Sequence, residues 1–280
     1  MESGVLPSYD ADSEESIEAS SNALLCGNFP TRSHMLTMIE FLDEVYAVSV
    51  ECLRGLRFNK ADERSRTMIA LYATIIEQVD SQITLIKAGK LAGVEITFRS
   101  TLEALVDLVN LTKRAGYLDN MKAAYSRDML KLMGDAVRGD NPFLSDAGEL
   151  EKNTTVQRRH REALDELQGR GVRVLQVAER FKAAEFEHIY ASVYRSLCRE
   201  AHNNVGALTE RHFRHENGKF EVVIFKSRDD LDVVTILDSI TSTLCTAGLF
   251  THDYFRSPSL PSLQAKFEEL QIRRESYEHV

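Results

Sequence analysis

One stretch of this chain, AGVEITFRSTLEALVDLVNLT at residues 92–112, is apolar on nearly every side of the helix it would form. A surface helix keeps a single apolar stripe, so a helix apolar all round is one that others surround. The pattern predicts a central helix from about Leu91 to Arg114, ended by Gly116.

The flanking segments supply amphipathic partners. Met35, Leu36, Ile39, Leu42, Val45 and Tyr46 recur at helical spacing, with Ser33 as a candidate N-cap. Met68, Ile69, Tyr72, Ile75, Ile76, Val79, Ile83 and Ile86 stripe a second helix over about 61–87, closed by Gly89. A helix over about 118–137 precedes the break Gly139-Asp140-Asn141-Pro142. Residues 146–169 carry only a thin apolar stripe and read as a projecting or surface helix, with a bend at Gly169 and Gly171. Val174 to Phe181 form a short helix that leads into a longer one near Glu187 to His212. Asn217-Gly218 between extended runs in HFRHENGKFEVVIF marks a β-hairpin, too small to found a sheet. Asp229-Asp230 then cap a helix from Leu231 to about Phe255, and a charged helix follows Pro258 and Pro261. The expected fold is all-α, a helical bundle of about seven or eight helices with one small β-hairpin decoration.

Composition narrows the class. An apolar fraction of 43% and a charged fraction of 28% are those of an ordinary folded protein. Residues 1–31 hold six acidic side chains and no Lys or Arg, and read as a flexible acidic leader before one domain at 32–280. The net charge of −9 weighs against a general nucleic-acid binder. Six of those charges lie in the leader, which leaves room for a local basic groove on the body. No run approaches the roughly 18 to 20 apolar residues of a membrane span. Cys26, Cys52, Cys198 and Cys245 form no CxxC pair, which fits buried thiols in a reducing cytoplasm. No metal and no cofactor is expected: His34, His188 and His252 lack ligand spacing, and no Gly-rich phosphate loop or GxSxG elbow occurs.

Two helices carry charge where their surroundings are apolar. Glu95, Arg99 and Glu103 stand four apart on the central helix, and Asp107 extends the row. Arg195, Arg199 and His202 stand at i, i+4 and i+7, about two turns, with Tyr194 and Asn203 beside them. In one reading the acidic and basic rows pair across a helix interface as a structural ion network. In the other, His202 and an arginine face a cleft and act on a phosphate, the histidine moving a proton and the arginine holding charge.

FRSTLEALVDLVNL followed by IYASVYRSLCREAHNNVGAL resembles, in order and pattern over roughly residues 60–255, an uncharacterised bacterial branch of the HEPN-like helical proteins. Nuclease members of that superfamily mark their site with an Arg followed after four to six residues by His, a spacing that Arg195 and His202 fit. Leu197 stands where the tighter form of the motif has a polar residue, and Arg199 is too close to His202 to replace Arg195 in the pattern. The resemblance implies a metal-independent ribonuclease of a defence or toxin type, homodimeric, with two motifs meeting at the interface. It assigns His202 to attack by the ribose 2′-hydroxyl, Arg195 to the phosphate, and Asn203 or Tyr194 to positioning. Glu95, Arg99, Glu103 and Arg199 support that site. The basic runs Arg158, Arg159, Arg161 and Arg211, Arg214 read either as a solvated helix face and a polar hairpin edge, or as electrostatic guides for RNA phosphates. The alternative that the resemblance allows is a non-catalytic module that binds a partner protein or a nucleotide-bearing ligand.

Overall fold

The computed structural model describes residues 32–138, 143–144, 150–216, 219–224, 226 and 228–278. The expected acidic leader, the Gly139–Pro142 break and the Asn217-Gly218 turn lie outside them. The fold is all-α, as the helical periodicity predicts, and among the described residues there is one two-stranded hairpin, at the place the extended runs around Asn217-Gly218 predict.

Four long helices make the core: α1 (Arg32–Gly55), α2 (Glu63–Lys87), α3 (Leu91–Lys113) and, near the end of the chain, α10 (Asp230–Tyr254). α3 packs on α2 and α10, and α10 also packs on α1, α2 and the closing helix α11 (Leu260–Glu278). Met38, Phe41, Tyr72, Ile75, Phe98, Leu108 and Leu237 are fully or almost fully buried between them. Complete burial of each aliphatic or aromatic side chain contributes roughly 1.5 to 3 kcal/mol. Helix ends follow the sequence chemistry. Asp62 accepts the Ser65 N–H at 2.8 Å to start α2, and Gly89 ends it at a φ of +68°. Asp229 accepts the Asp232 N–H at 2.7 Å to start α10. α1 begins at Arg32, so Ser33 falls within its first turn rather than at its cap.

By length and composition α10 is the one helix among the described residues apolar enough to cross a membrane, and 56% of that apolar window is buried. Its neighbours account for the apolarity, as in the core helix of a folded domain. Its buried threonines stay satisfied locally: Thr241 and Thr251 each donate to the carbonyl one turn back at 2.7 Å.

α4 (Tyr117–Arg138) and α5 (Leu150–Gly169) lie against one another, and α4 is the main contact of α5. A helix supported on one side needs only a thin apolar stripe, which explains the sparse pattern of α5. On the far side of α3 lie α6 (Val177–Ala183) and a broken run. That run consists of α7 (Glu187–Ile189), a π-helical turn (Tyr190–Tyr194), α8 (Arg195–Ala201) and α9 (Val205–His212). The single helix expected over 187–212 is therefore interrupted. Asn203 takes a φ of +51°, which asparagine tolerates well, and Asn204 uses its Oδ1 to accept the Gly206 N–H at 3.0 Å and begin α9.

Strand β1 (Phe213–Glu216) pairs antiparallel with β2 (Lys219–Val222). The register sets Arg214 opposite Glu221 and Glu216 opposite Lys219 on one face, with Phe213, His215, Phe220 and Val222 on the other.

A buried polar link joins α2 to α3: Gln82 Nε2 donates to Thr101 Oγ1 at 2.8 Å, both side chains fully buried. Thr101→Val should cost about 1 to 3 kcal/mol, because the amide then has no acceptor. Adding Gln82→Met should recover most of it. Urea unfolding checks both, and a Thr101→Val chain as stable as wild type would show that the link is idle.

Candidate functional site

α8 divides its residues cleanly by helical position. Tyr194 and Leu197 turn inward and are buried, and Cys198 is half-buried. Arg195, Arg199 and His202 turn outward with Ser196 and are exposed, as is Asn203 in the following turn. Among the described residues no hydrogen bond or ion pair takes up the side chains of Arg195, Arg199, His202 or Asn203. The end of the helix is closed by the backbone instead. The His202 N–H donates to Cys198 O at 3.0 Å and the Asn204 N–H to Arg199 O at 3.1 Å, with Asn203 in the left-handed position between them. A fixed turn thus presents His202 at the tip of α8, with Arg199 three residues before it and Arg195 one turn further back. Seven residues span about 10 Å of helix, so the three side chains offer a strip rather than a point.

The basic strip and the acidic row of α3 do not pair. The acidic row is occupied by two other arginines. Arg180, on α6, donates to Asp107 at 2.8 and 3.0 Å and to Glu103 at 2.8 Å. Arg228, before α10, pairs with Glu95 at 2.8 Å. The reason is reach. Cys198 of α8 and Tyr194 just before it bond to Arg99 of α3, whereas the Arg195 face is exposed to solvent.

Tyr194 belongs to the wall, not to the strip. Its ring packs on Phe181 at 4.8 Å and on Tyr190 at 5.5 Å. Its hydroxyl donates to Glu103 at 2.8 Å and accepts from Arg99 at 3.1 Å. Burial and the Glu103 carboxylate raise its pKa above the ordinary phenol value, so it stays a neutral anchor. Arg99 also donates to Cys198 Sγ at 3.3 Å and pairs with Glu103 at 3.2 Å. Tyr117 completes the network, donating to Asp107 at 2.6 Å. Burial pushes the Asp107 carboxyl up and Arg180 opposes it; burial likewise raises Glu95, against Arg228. The second oxygen of Glu95 is buried without a hydrogen-bond partner among the described residues.

The expected RNA-guiding arginines are scattered. Arg158, Arg159 and Arg161 are exposed on α5, where Arg158 approaches Glu162 at 4.0 Å. α5 makes its main contact with α4, not α8. Arg214 is exposed on the charged face of the hairpin. Arg211 is largely buried and pairs with Glu200 of α8. Arg180 and Arg228 escaped the reading of the sequence. Arg180 stands in a short helix, Val177–Ala183, whose Glu179 and Lys182 are charged as well, and Arg228 precedes its helix, so neither stands out as a charge amid apolar neighbours.

Residues 66–220, more than half of the chain, match the model of one family, described as a family of unknown function (DUF5677). The matched span runs from the first turn of α2 into β2 and holds the α8 strip and most of the network behind it. No curated protein and no solved structure matches the chain. The chain belongs to DUF5677, a family of unknown function.

Proposed function

We propose that the exposed strip of α8 binds RNA phosphates and that His202 carries out metal-independent cleavage, in the manner of the HEPN-like ribonucleases that the sequence resembles. The observation that carries this reading is that Arg195, Arg199, His202 and Asn203 face solvent without a partner among the described residues, while the row behind them is neutralised by other arginines. Side chains that are not engaged in holding the fold are free to meet a ligand. Arginine suits a phosphate because its guanidinium makes two parallel bonds to it.

In the proposed step His202 takes the proton of a ribose 2′-hydroxyl, whose oxygen attacks the adjacent phosphorus. The bond to the 5′-oxygen breaks, leaving a 2′,3′-cyclic phosphate on one fragment. The departing 5′-oxygen takes a proton from His202 of a second copy. Arg195 and Arg199 hold the non-bridging oxygens as charge builds, and Asn203 positions the phosphate. Cytoplasmic action as a homodimer, in a defence or toxin setting, belongs to the same proposal.

The test is cleavage of total RNA by the purified protein in EDTA. His202→Ala should lower the rate by about 10² to 10⁴-fold. The substitution should leave the unfolding midpoint nearly unchanged, because an exposed side chain without partners contributes little to stability. Absence of cleavage by the wild type, or equal cleavage by His202→Ala, overturns the enzymatic reading. If RNA or a protein partner then binds through Arg195 and Arg199, the non-catalytic module replaces it.

A further inference from the structure

The start of α3 faces a cavity of about 260 Å³ that the α8 strip does not share. Lys90, Arg211, Lys226 and Arg228 line it together with His212; Arg228 is paired with Glu95 at 2.8 Å behind the wall, and among the described residues no carboxylate lines the cavity itself. Leu91, Ala92 and Ile224 give it an apolar wall. We propose that this cavity binds a small phosphorylated molecule, its phosphate held between the first turn of α3 and these cations. The proposal rests on residues separate from the α8 strip and stands whether or not the chain cuts RNA.

Three observations converge on the cavity. Arg211 is held by Glu200 through its Nη2, yet its Nε is buried and has no acceptor among the described residues. A buried guanidinium N–H without a partner is costly, which marks Arg211 as a cation that the described residues leave incompletely satisfied. Lys226 has its ammonium fixed on the carbonyls of Glu210 at 2.8 Å and Phe213 at 3.3 Å, so its position is set by dipoles that leave its charge in place. α3 itself starts with no side-chain cap and no acidic residue in its first turn, so its partly positive end is uncompensated by the chain. A helix start beside guanidinium and ammonium groups is a phosphate-binding arrangement. The cavity is slightly smaller than the range of roughly 300 to 1,000 Å³ usual for small-molecule pockets, which points to a compact ligand.

The Glu200–Arg211 pair joins α8 to α9, so the cavity and the α8 strip share one strut while using different side chains for binding.

The test is calorimetric titration of the full chain with adenosine monophosphate, inorganic phosphate and a short RNA lacking a terminal phosphate. Adenosine monophosphate should bind more tightly than phosphate, because the apolar wall holds the body of the molecule. Ala92→Asp, at an exposed position in the first turn of α3, should weaken binding at least tenfold while leaving or raising the melting temperature. Lys226→Gln should weaken it in the same direction. Equal binding of adenosine monophosphate by wild type and Ala92→Asp, or no binding at millimolar concentration, overturns the proposal. Equal affinity for phosphate and adenosine monophosphate overturns the small-molecule assignment. Binding of the RNA alone overturns it too, and adds the cavity to an RNA path.

Discussion

Arg180→Ala should destabilise the fold by about 3 to 5 kcal/mol, the loss seen when one partner of a buried ion pair is removed. For a chain of this size that lowers the melting temperature by on the order of 10 °C. The arginine bridges Asp107 and Glu103 on one face of α3, and its own side chain is only 20% exposed. Without it two carboxylates stand one turn apart with only the Tyr117 and Tyr194 hydroxyls and Arg99 to hold them. The loss has a specific reversal. Adding Asp107→Asn and Glu103→Gln should return much of the stability, because the uncompensated charge is what costs most. Thermal unfolding followed by circular dichroism reads both variants. An Arg180→Ala chain melting within about 3 °C of wild type would mean that Phe181 packing and the Asn110 bond to the Arg180 carbonyl suffice to hold α6.

Acid should weaken the fold through His252. This side chain of α10 is fully buried, its ring lies edge-on to Tyr72 at 5.8 Å, and neither ring nitrogen has a hydrogen-bond partner among the described residues. Burial lowers its pKa from 6.5 to about 4. Between those values the unfolded chain holds more protons than the folded one, so stability rises with pH across that window. The neutral imidazole is fully compatible with the fold above about pH 7, and roughly 3 kcal/mol is lost as the pH falls to about 4. Carboxylates add their own acid sensitivity, so the measurement is a difference. Urea unfolding of wild type and His252→Leu at neutral and acid pH should give a steeper pH dependence for wild type. Parallel curves would show that the imidazole is not the group being titrated.

What the sequence revealed and what it hid divide along a physical line. Helix identity was legible wherever a long apolar stripe ended in Gly, Asp or Pro: Gly89 and Asp229 mark their helix ends within a residue or two. The break at Asn203-Asn204 was not, because apolar spacing continues through Val205 and Ala207 while the backbone turns. The same limit governs the site. The periodicity of Arg195, Arg199 and His202 correctly put them on one face, and that of Glu95 to Asp107 on another. Which faces meet depends on the rotation of each helix about its axis, and no spacing within one helix encodes it. The cavity at the start of α3 is assembled from three distant segments, so its residues had no common signal at all.

That rotation has a local cause. The π-helical turn Tyr190–Tyr194 carries about one residue more than a regular α-helical turn, and one residue is worth about 100° around the axis. The turn directs Tyr194 to the wall and Arg195 to solvent. A relative without that extra residue would carry the same motif letters facing the protein interior. Comparisons within the family should therefore match arginines by direction in space, since a gap-free alignment through this turn pairs residues that point to opposite sides.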